Sequence, residues 1–93
     1  MAFHFLCEDR QGAQEVRKAN REAHLAYLAD HADRIIAAGP LLDPDGGMIG
    51  SVLILDFDTA AEAEAFAAGD PYARAGLFAR TTITAWRQVY PKA

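Results

Sequence analysis

Apolar and polar residues alternate near both ends of the chain, and this alternation predicts strands. In the first predicted strand, residues 2–7, Phe3 and Phe5 share one face, while Leu6 makes the opposite face partly apolar as well. A period of two is typical of a strand. The same alternation predicts a last strand over residues 77–89.

The longest helical pattern covers residues 14–38. Its apolar residues recur at helical spacing and span an arc of about 120°, with His24 near the middle. We expect the charged side chains of this segment, Arg17 among them, to lie mostly outside that arc. Gly39 and Pro40 follow, and a glycine cap before a proline predicts the end of the helix there.

Residues 43–47 contain a proline, two aspartates and two glycines, a composition typical of a turn. The turn is predicted to join a short apolar pair, Leu41 and Leu42, to a strand over residues 48–57. The centre of that strand, residues 52–55, is apolar at every position. We therefore expect it to carry apolar side chains on both faces of a sheet.

A second helix is predicted over the alanine-rich residues 60–68. Thr59 stands at the N-cap position and Glu62 three residues later, which is the spacing of a capping box. Gly69 is predicted to end this helix in the left-handed conformation. Asp70 and Pro71 then begin a short helix that reaches about residue 76, because a capping aspartate before proline is a common helix start.

The order strand, helix, strand, strand, helix, strand predicts an α+β chain with the ferredoxin-like split βαβ arrangement (βαββαβ). Two helices would cover one face of a four-stranded antiparallel sheet. Residues 52–55 offer apolar side chains to the other face, and we expect Phe3, Phe5 and Trp86 to add to it. A large exposed apolar patch indicates an interface, so the pattern predicts a homodimer through the open sheet face. A monomer with an apolar surface is the alternative.

Length and charge restrict the class of protein. The chain has 93 residues and a net charge of −4, which predicts a single domain over residues 1–93 without the basic surface that nucleic acid or an anionic membrane requires. No apolar run is long enough to span a bilayer, and no basic-then-apolar leader is seen. The single cysteine, Cys7, excludes an internal disulfide. We expect a cytoplasmic protein.

His24 is the residue most suited to chemistry, because it is titratable and lies in an apolar helix face. The alternative is a core histidine satisfied by a backbone carbonyl. Asp70 is the candidate partner, since the two helices lie side by side in this fold. An Asp70 carboxylate bonded to one ring nitrogen would leave the other as a base. A role as helix N-cap alone is the alternative for Asp70, and the two roles are compatible.

Other polar residues give weaker signals. Ser51 and Tyr72 are candidates for substrate binding, although an ordinary strand serine and a wall residue explain them as well. Cys7 fits a small core residue better than a nucleophile. His31 lies two helical turns from His24, about 10.5 Å along the axis, too far to share one metal ion. No spacing typical of a metal site is present, so no metal or cofactor is predicted.

These residues together resemble the YCII-related (YciI-like) domain family over nearly the whole chain. The matching segments are REAHLAYL at 21–28, AGPL at 38–41, GMIGS at 47–51, DPY at 70–72, AGLF at 75–78 and WRQV at 86–89. The resemblance implies a ferredoxin-like fold that forms dimeric α+β barrels. It also implies an active site built on a histidine–aspartate pair, here His24 and Asp70, with Ser51 in the family's Gly-Ser element.

Three hypotheses about function follow. The first is a cofactor-independent enzyme that acts on a small aromatic or keto-acid-like molecule, with His24 as general acid/base. The resemblance extends to muconolactone isomerase-like barrels and to lyases that remove chloride from aromatic compounds, so isomerisation or elimination is expected. The second is a non-catalytic module that binds a small metabolite. The third is a purely structural dimer.

Overall fold

A computed structural model describes residues 1–93 and shows four strands and three α-helices. The elements are β1 Ala2–Asp9, α1 Gln14–Asp30, a 3₁₀ turn Ala32–Arg34, β2 Ile35–Leu42, β3 Met48–Asp56, α2 Ala60–Gly69, α3 Pro71–Arg74 and β4 Phe78–Trp86. The strands form one antiparallel sheet in the order β2-β3-β1-β4. The predicted ferredoxin-like α+β arrangement is confirmed.

The predicted end of the first helix is wrong. α1 ends at Asp30, and the segment from Ile35 onward is strand β2. Gly39 and Pro40, which we expected to stop a helix, lie inside this strand. Proline fits because β2 is at the edge of the sheet, where a missing N–H costs no ladder hydrogen bond. The β-branched pair at positions 35 and 36 also favours a strand over a helix.

The helices pack against one face of the sheet and leave the other face open. The register pairs Phe3 with Leu55 and Phe5 with Leu53, and all four side chains are buried under the helices. The expectation that Phe3 and Phe5 add to the open face is therefore wrong. The open face instead carries half-buried side chains that alternate with them along the strands, namely His4, Leu6, Val52, Ile54 and Trp86. Residues 52–55 do supply apolar groups to both faces, as predicted.

The main core lies between the sheet and α2. It joins Phe3, Phe5, Leu53 and Leu55 to Phe66 of α2. The Phe5 and Phe66 rings meet edge to face with centroids 5.6 Å apart, a favourable aromatic geometry. This packing fixes α2 on the sheet, and with it the chain that leaves α2 toward α3.

The start of α2 follows the sequence prediction, but its end does not. The Thr59 hydroxyl accepts from the Glu62 N–H, and the Glu62 carboxylate accepts from the Thr59 N–H, so the capping box is present. Gly69, however, is the last residue of the helix and does not adopt a positive φ. It is needed for space, because a Cβ at this position would lie 2.6 Å from the Tyr27 hydroxyl.

Candidate active site

His24 and Asp70 meet beneath the helices. His24 belongs to α1, and Asp70 stands at the junction of α2 and α3, where Pro71 occupies the first helical turn. The His24 Nδ1 lies 2.9 Å from Asp70 Oδ1. Both side chains are buried, with the two residues 7% and 3% exposed. The structure thus brings together two groups that stand 46 positions apart in the chain.

One oxygen of Asp70 serves two donors. Asp70 Oδ1 also accepts the Tyr72 backbone N–H at 2.9 Å, which caps α3. An ionised carboxylate only accepts hydrogen bonds, so the His24 Nδ1 carries the hydrogen and donates it. Nε2 of neutral His24 is therefore the unprotonated nitrogen, able to accept a proton.

The Nε2 of His24 is open to solvent. It has no hydrogen-bond partner within the protein, whereas no fully buried side-chain nitrogen or oxygen lacks one. A cavity of about 150 Å³ lies beside the ring, between α1 and strands β2 and β3. Its apolar wall includes Leu25, Leu28, Pro40 and Leu53. The ring of His24 thus borders a small cavity with apolar walls and a few polar groups, which is the usual character of a ligand site.

Ser51 lines the same cavity and is held by a residue that sequence reasoning missed. The Ser51 hydroxyl oxygen accepts from Arg17 Nη2 at 3.0 Å. Arg17 in turn binds the Asp9 carboxylate through two bonds, Nε to Oδ2 at 2.7 Å and Nη2 to Oδ1 at 2.9 Å. Because its oxygen already accepts from Arg17, the Ser51 hydroxyl keeps its own hydrogen to donate elsewhere.

The expectation that Arg17 lies outside the apolar arc is wrong. Arg17 is 4% exposed and faces the cavity. It stands seven residues before His24 in α1, and seven residues are nearly two whole turns. The two side chains therefore share one helix face. The spacing of seven residues between Arg17 and His24 therefore indicated, in the sequence alone, that Arg17 lies on the inner face of α1. The charge of Arg17 is tolerated on this buried face because the buried Asp9 carboxylate pairs with it.

Tyr72 also lines the cavity. Its ring stacks on the His24 imidazole, with centroids 4.0 Å apart and planes 15° apart, and the Arg17 guanidinium carbon lies 4.6 Å from the ring centroid. Burial raises the pKa of Tyr72 above its usual range, and the positive charge of Arg17 works in the opposite direction. The hydroxyl is neutral at physiological pH, and the ring fixes the plane of the imidazole.

The remaining candidates lie elsewhere. The His31 Nδ1 binds the Tyr27 carbonyl at 2.8 Å, and its ring packs edge-on against Phe66. Cys7 is buried in the core, and burial raises the pKa of its thiol to about 11. Neither residue lines the cavity. The structure contains no group of three or more acidic, histidine or cysteine side chains placed to hold a metal ion. None of its helices is long and apolar enough to cross a membrane.

Comparison with protein families and curated proteins gives a consistent result. The model of the YCII-related domain matches residues 1–87. The protein YciI of Escherichia coli is 31% identical over 97% of this chain and its own full length. An uncharacterized protein of Haemophilus influenzae is 32% identical with the same coverage.

Solved structures add one relative with a described reaction. The 5-chloro-2-hydroxyhydroquinone dehydrochlorinase TftG of Burkholderia phenoliruptrix, in complex with 2,5-dihydroxybenzoquinone, is 38% identical, covers 94% of each chain and superposes with a TM-score of 0.88. SnoaB, a cofactor-independent oxygenase of Streptomyces nogalater, is 15% identical with a TM-score of 0.57 over 97% of this chain and 95% of its own. At that identity the second likeness concerns the fold alone.

Proposed function

The chain belongs to the YCII-related domain family, and on that premise we propose that it is a small-molecule enzyme whose general acid/base is His24. One observation carries the proposal. The imidazole is anchored through Nδ1 to a buried carboxylate, and its other nitrogen is open to solvent beside a small cavity. A core histidine needs a partner for its polar groups, but it does not need an opening beside the free nitrogen.

In the proposed reaction, His24 Nε2 removes a proton from a carbon next to a carbonyl, or from a phenolic hydroxyl. Asp70 holds the ring in the correct tautomer and stabilises the imidazolium that forms. The Ser51 hydroxyl donates its free hydrogen to the oxygen on which negative charge develops. Return of the proton to a different carbon completes an isomerisation. Departure of a leaving group with its electron pair completes an elimination.

The similarity to the dehydrochlorinase supports elimination as one form of this chemistry. That protein acts on a chlorinated hydroxyhydroquinone and was solved with a quinone bound. At 38% identity over nearly the full chain, the comparison favours a small cyclic substrate for this protein too. The reaction needs only groups that this chain supplies, so we propose no cofactor.

Proton exchange tests the proposal without knowledge of the natural substrate. Small cyclic ketones, keto acids and hydroxyquinones are incubated with the protein in D₂O, and NMR follows the loss of the signal from the carbon-bound hydrogen. Release of chloride from 5-chloro-2-hydroxyhydroquinone is measured in parallel. We expect His24→Gln to abolish both reactions while the protein stays folded. Unchanged turnover in His24→Gln would refute the role of His24.

A non-catalytic metabolite-binding module is the second candidate. It is favoured by the capping bond to Tyr72, because that bond gives Asp70 a structural reason to be present. The same screen separates the two functions. A ligand that raises the melting temperature but shows neither exchange nor chloride release supports binding without catalysis. A protein that responds to no ligand supports a purely structural role.

We also propose that two copies pack through the open sheet face. Its central side chains, Leu6, Val52 and Ile54, are apolar, and the helices cover only the other face. A charge at the centre of this face, as in Ile54→Asp, is expected to shift the sedimentation of a dimer to that of a monomer. Ala65→Asp, on the exposed side of α2, is the matched control. A wild-type protein that sediments as a monomer contradicts the dimer.

A further inference from the structure

A second, more open basin, lined in part by basic side chains, adjoins the cavity beside His24. The two spaces share Arg17, Arg21 and Met48, so they lie side by side. Gln14, Lys18 and the hairpin residue Gly47 complete the basin. Any ligand that enters the cavity from this side passes three cations carried on little more than one turn of α1.

The two outer cations are not neutralised. Neither Lys18 nor Arg21 has a carboxylate within 4.0 Å, since the side-chain ion pairs of the structure involve other residues. The Asp9 carboxylate is engaged by Arg17, and Asp43, beside the lining residue Gly47, caps the hairpin, where its Oδ1 accepts the backbone N–H groups of Asp45 and Gly47. In a chain of net charge −4, an unpaired basic mouth attracts anions selectively.

Arg17 supplies a third, deeper donor. Its Nε and Nη2 are used by Asp9 and Ser51. Its Nη1 is not used by these two residues, and the side chain of Tyr72, which also interacts with the guanidinium, lines the same cavity. Arg17 is only 4% exposed yet lines the cavity, so Nη1 is the guanidinium nitrogen that a ligand there can use without displacing Asp9 or Ser51. Hydrogen bonds between a guanidinium and a carboxylate are among the strongest in proteins.

The volume of the cavity sets the size of the rest of the ligand. At about 150 Å³, the inner space matches engineered apolar cavities of about 150 Å³ that bind benzene. We infer that the ligand is a monocyclic carboxylate. Its ring occupies the inner cavity beside His24, and its carboxylate meets Arg17 Nη1 and Arg21 at the mouth, with Lys18 adding long-range attraction. This inference rests on the proposed function, of which it specifies the substrate class.

The test compares two probes of equal shape and different charge, benzoate and benzamide. Isothermal titration measures the binding of each to the wild type and to Arg21→Gln. We expect the wild type to prefer benzoate by about tenfold at low salt, and Arg21→Gln to lose most of that preference. High salt should weaken benzoate binding and leave benzamide binding unchanged. Lys92→Gln, which removes an exposed cation far along the chain, is the charge-matched control and should behave as the wild type.

The outcomes separate this inference from the proposed function. Equal binding of benzoate and benzamide by the wild type overturns the carboxylate site, as does an Arg21→Gln variant that keeps the full preference. If inorganic phosphate binds as tightly as benzoate, the ring contributes nothing to binding, and the proposal that the inner cavity holds a ring is refuted. The His24→Gln variant is expected to retain its preference for benzoate, because the anion site does not include the imidazole. If the wild type shows no turnover but still prefers benzoate to benzamide, the proposed enzymatic function is refuted and the carboxylate site is not.

Discussion

Gly69→Ala tests how the site is held together, because this glycine makes room for Tyr27. The Tyr27 hydroxyl donates to the Phe66 carbonyl at 2.8 Å and so ties α1 to the end of α2, one turn before Asp70. A Cβ at position 69 would lie 2.6 Å from the hydroxyl oxygen and 3.3 Å from the ring carbon that carries it. The methyl group and the hydroxyl cannot both occupy this space.

The expected loss of stability follows from three contributions. Displacing the Tyr27 hydroxyl removes a hydrogen bond worth about 1 kcal/mol. Tyr27 has little freedom to move, since its ring stacks on Phe66 with centroids 5.1 Å apart, and forced repacking costs roughly 1–3 kcal/mol. Replacing glycine by alanine in a helix returns about 1 kcal/mol. Gly69→Ala should therefore lower the free energy of unfolding by about 1–3 kcal/mol.

A double-mutant cycle isolates the contact. In Tyr27→Phe the hydroxyl is absent, and the new methyl group meets only the ring edge at 3.3 Å. Gly69→Ala in that background should be neutral or slightly stabilising, which gives a coupling energy of about 2 kcal/mol. Urea unfolding followed by circular dichroism measures all four proteins. If the effects of Gly69→Ala and Tyr27→Phe on the free energy of unfolding add to within about 0.5 kcal/mol, the Tyr27 hydroxyl is not what requires a glycine at position 69.

Three other substitutions give simple outcomes. Gly50→Ala should destabilise the fold by more than about 2 kcal/mol, because its Cβ would lie 2.6 Å from the backbone oxygen of Cys7. Gly39→Ala on the adjacent strand is the control, since its Cβ would meet nothing within 4 Å. Equal urea midpoints for the two variants would contradict this prediction. Asp70→Asn should keep the cap but lower turnover by about 10²–10⁴-fold, since it loses the charge that stabilises the His24 imidazolium, and unchanged turnover would exclude that role. The Cys7 thiol has a folded pKa of about 11 against an ordinary 9.0, so the unfolded chain ionises first. Stability that is present below pH 9 is lost as the pH rises toward 11, and the wild type should lose it more steeply than Cys7→Ala in urea titrations; parallel slopes would disprove the shift.

Much of the architecture could be predicted from the sequence, because strand alternation and helix starts are local signals. The capping box at Thr59 and the helix start at Asp70 are examples. The end of α1 could not be located in this way. Ile35 and Ile36 continue the apolar arc of the helix as well as they suit a strand, and only pairing with β3 decides between the two. Periodicity carries no information about such pairing.

The candidate site could be predicted only in part. The order of the elements predicts that the helices carrying this site lie on one face of the sheet, but the contact between His24 and Asp70 itself is visible only in three dimensions. Arg17 was missed because charged residues were assigned to the solvent side by type, although its spacing from His24 indicated the inner face. Its partner Asp9 lies at the end of the first strand, and a pairing between strand end and helix becomes visible only in three dimensions.

The position of β2 at the edge of the sheet has an evolutionary consequence. Its residues Ala38, Gly39 and Pro40 form one wall of the cavity, yet β2 pairs with a single neighbour and adds little to the main core. His24 and Asp70, in contrast, are carried by α1 and by the junction of α2 and α3. Substitutions in that wall during evolution can therefore change the shape of the cavity while the contact between His24 and Asp70 is kept.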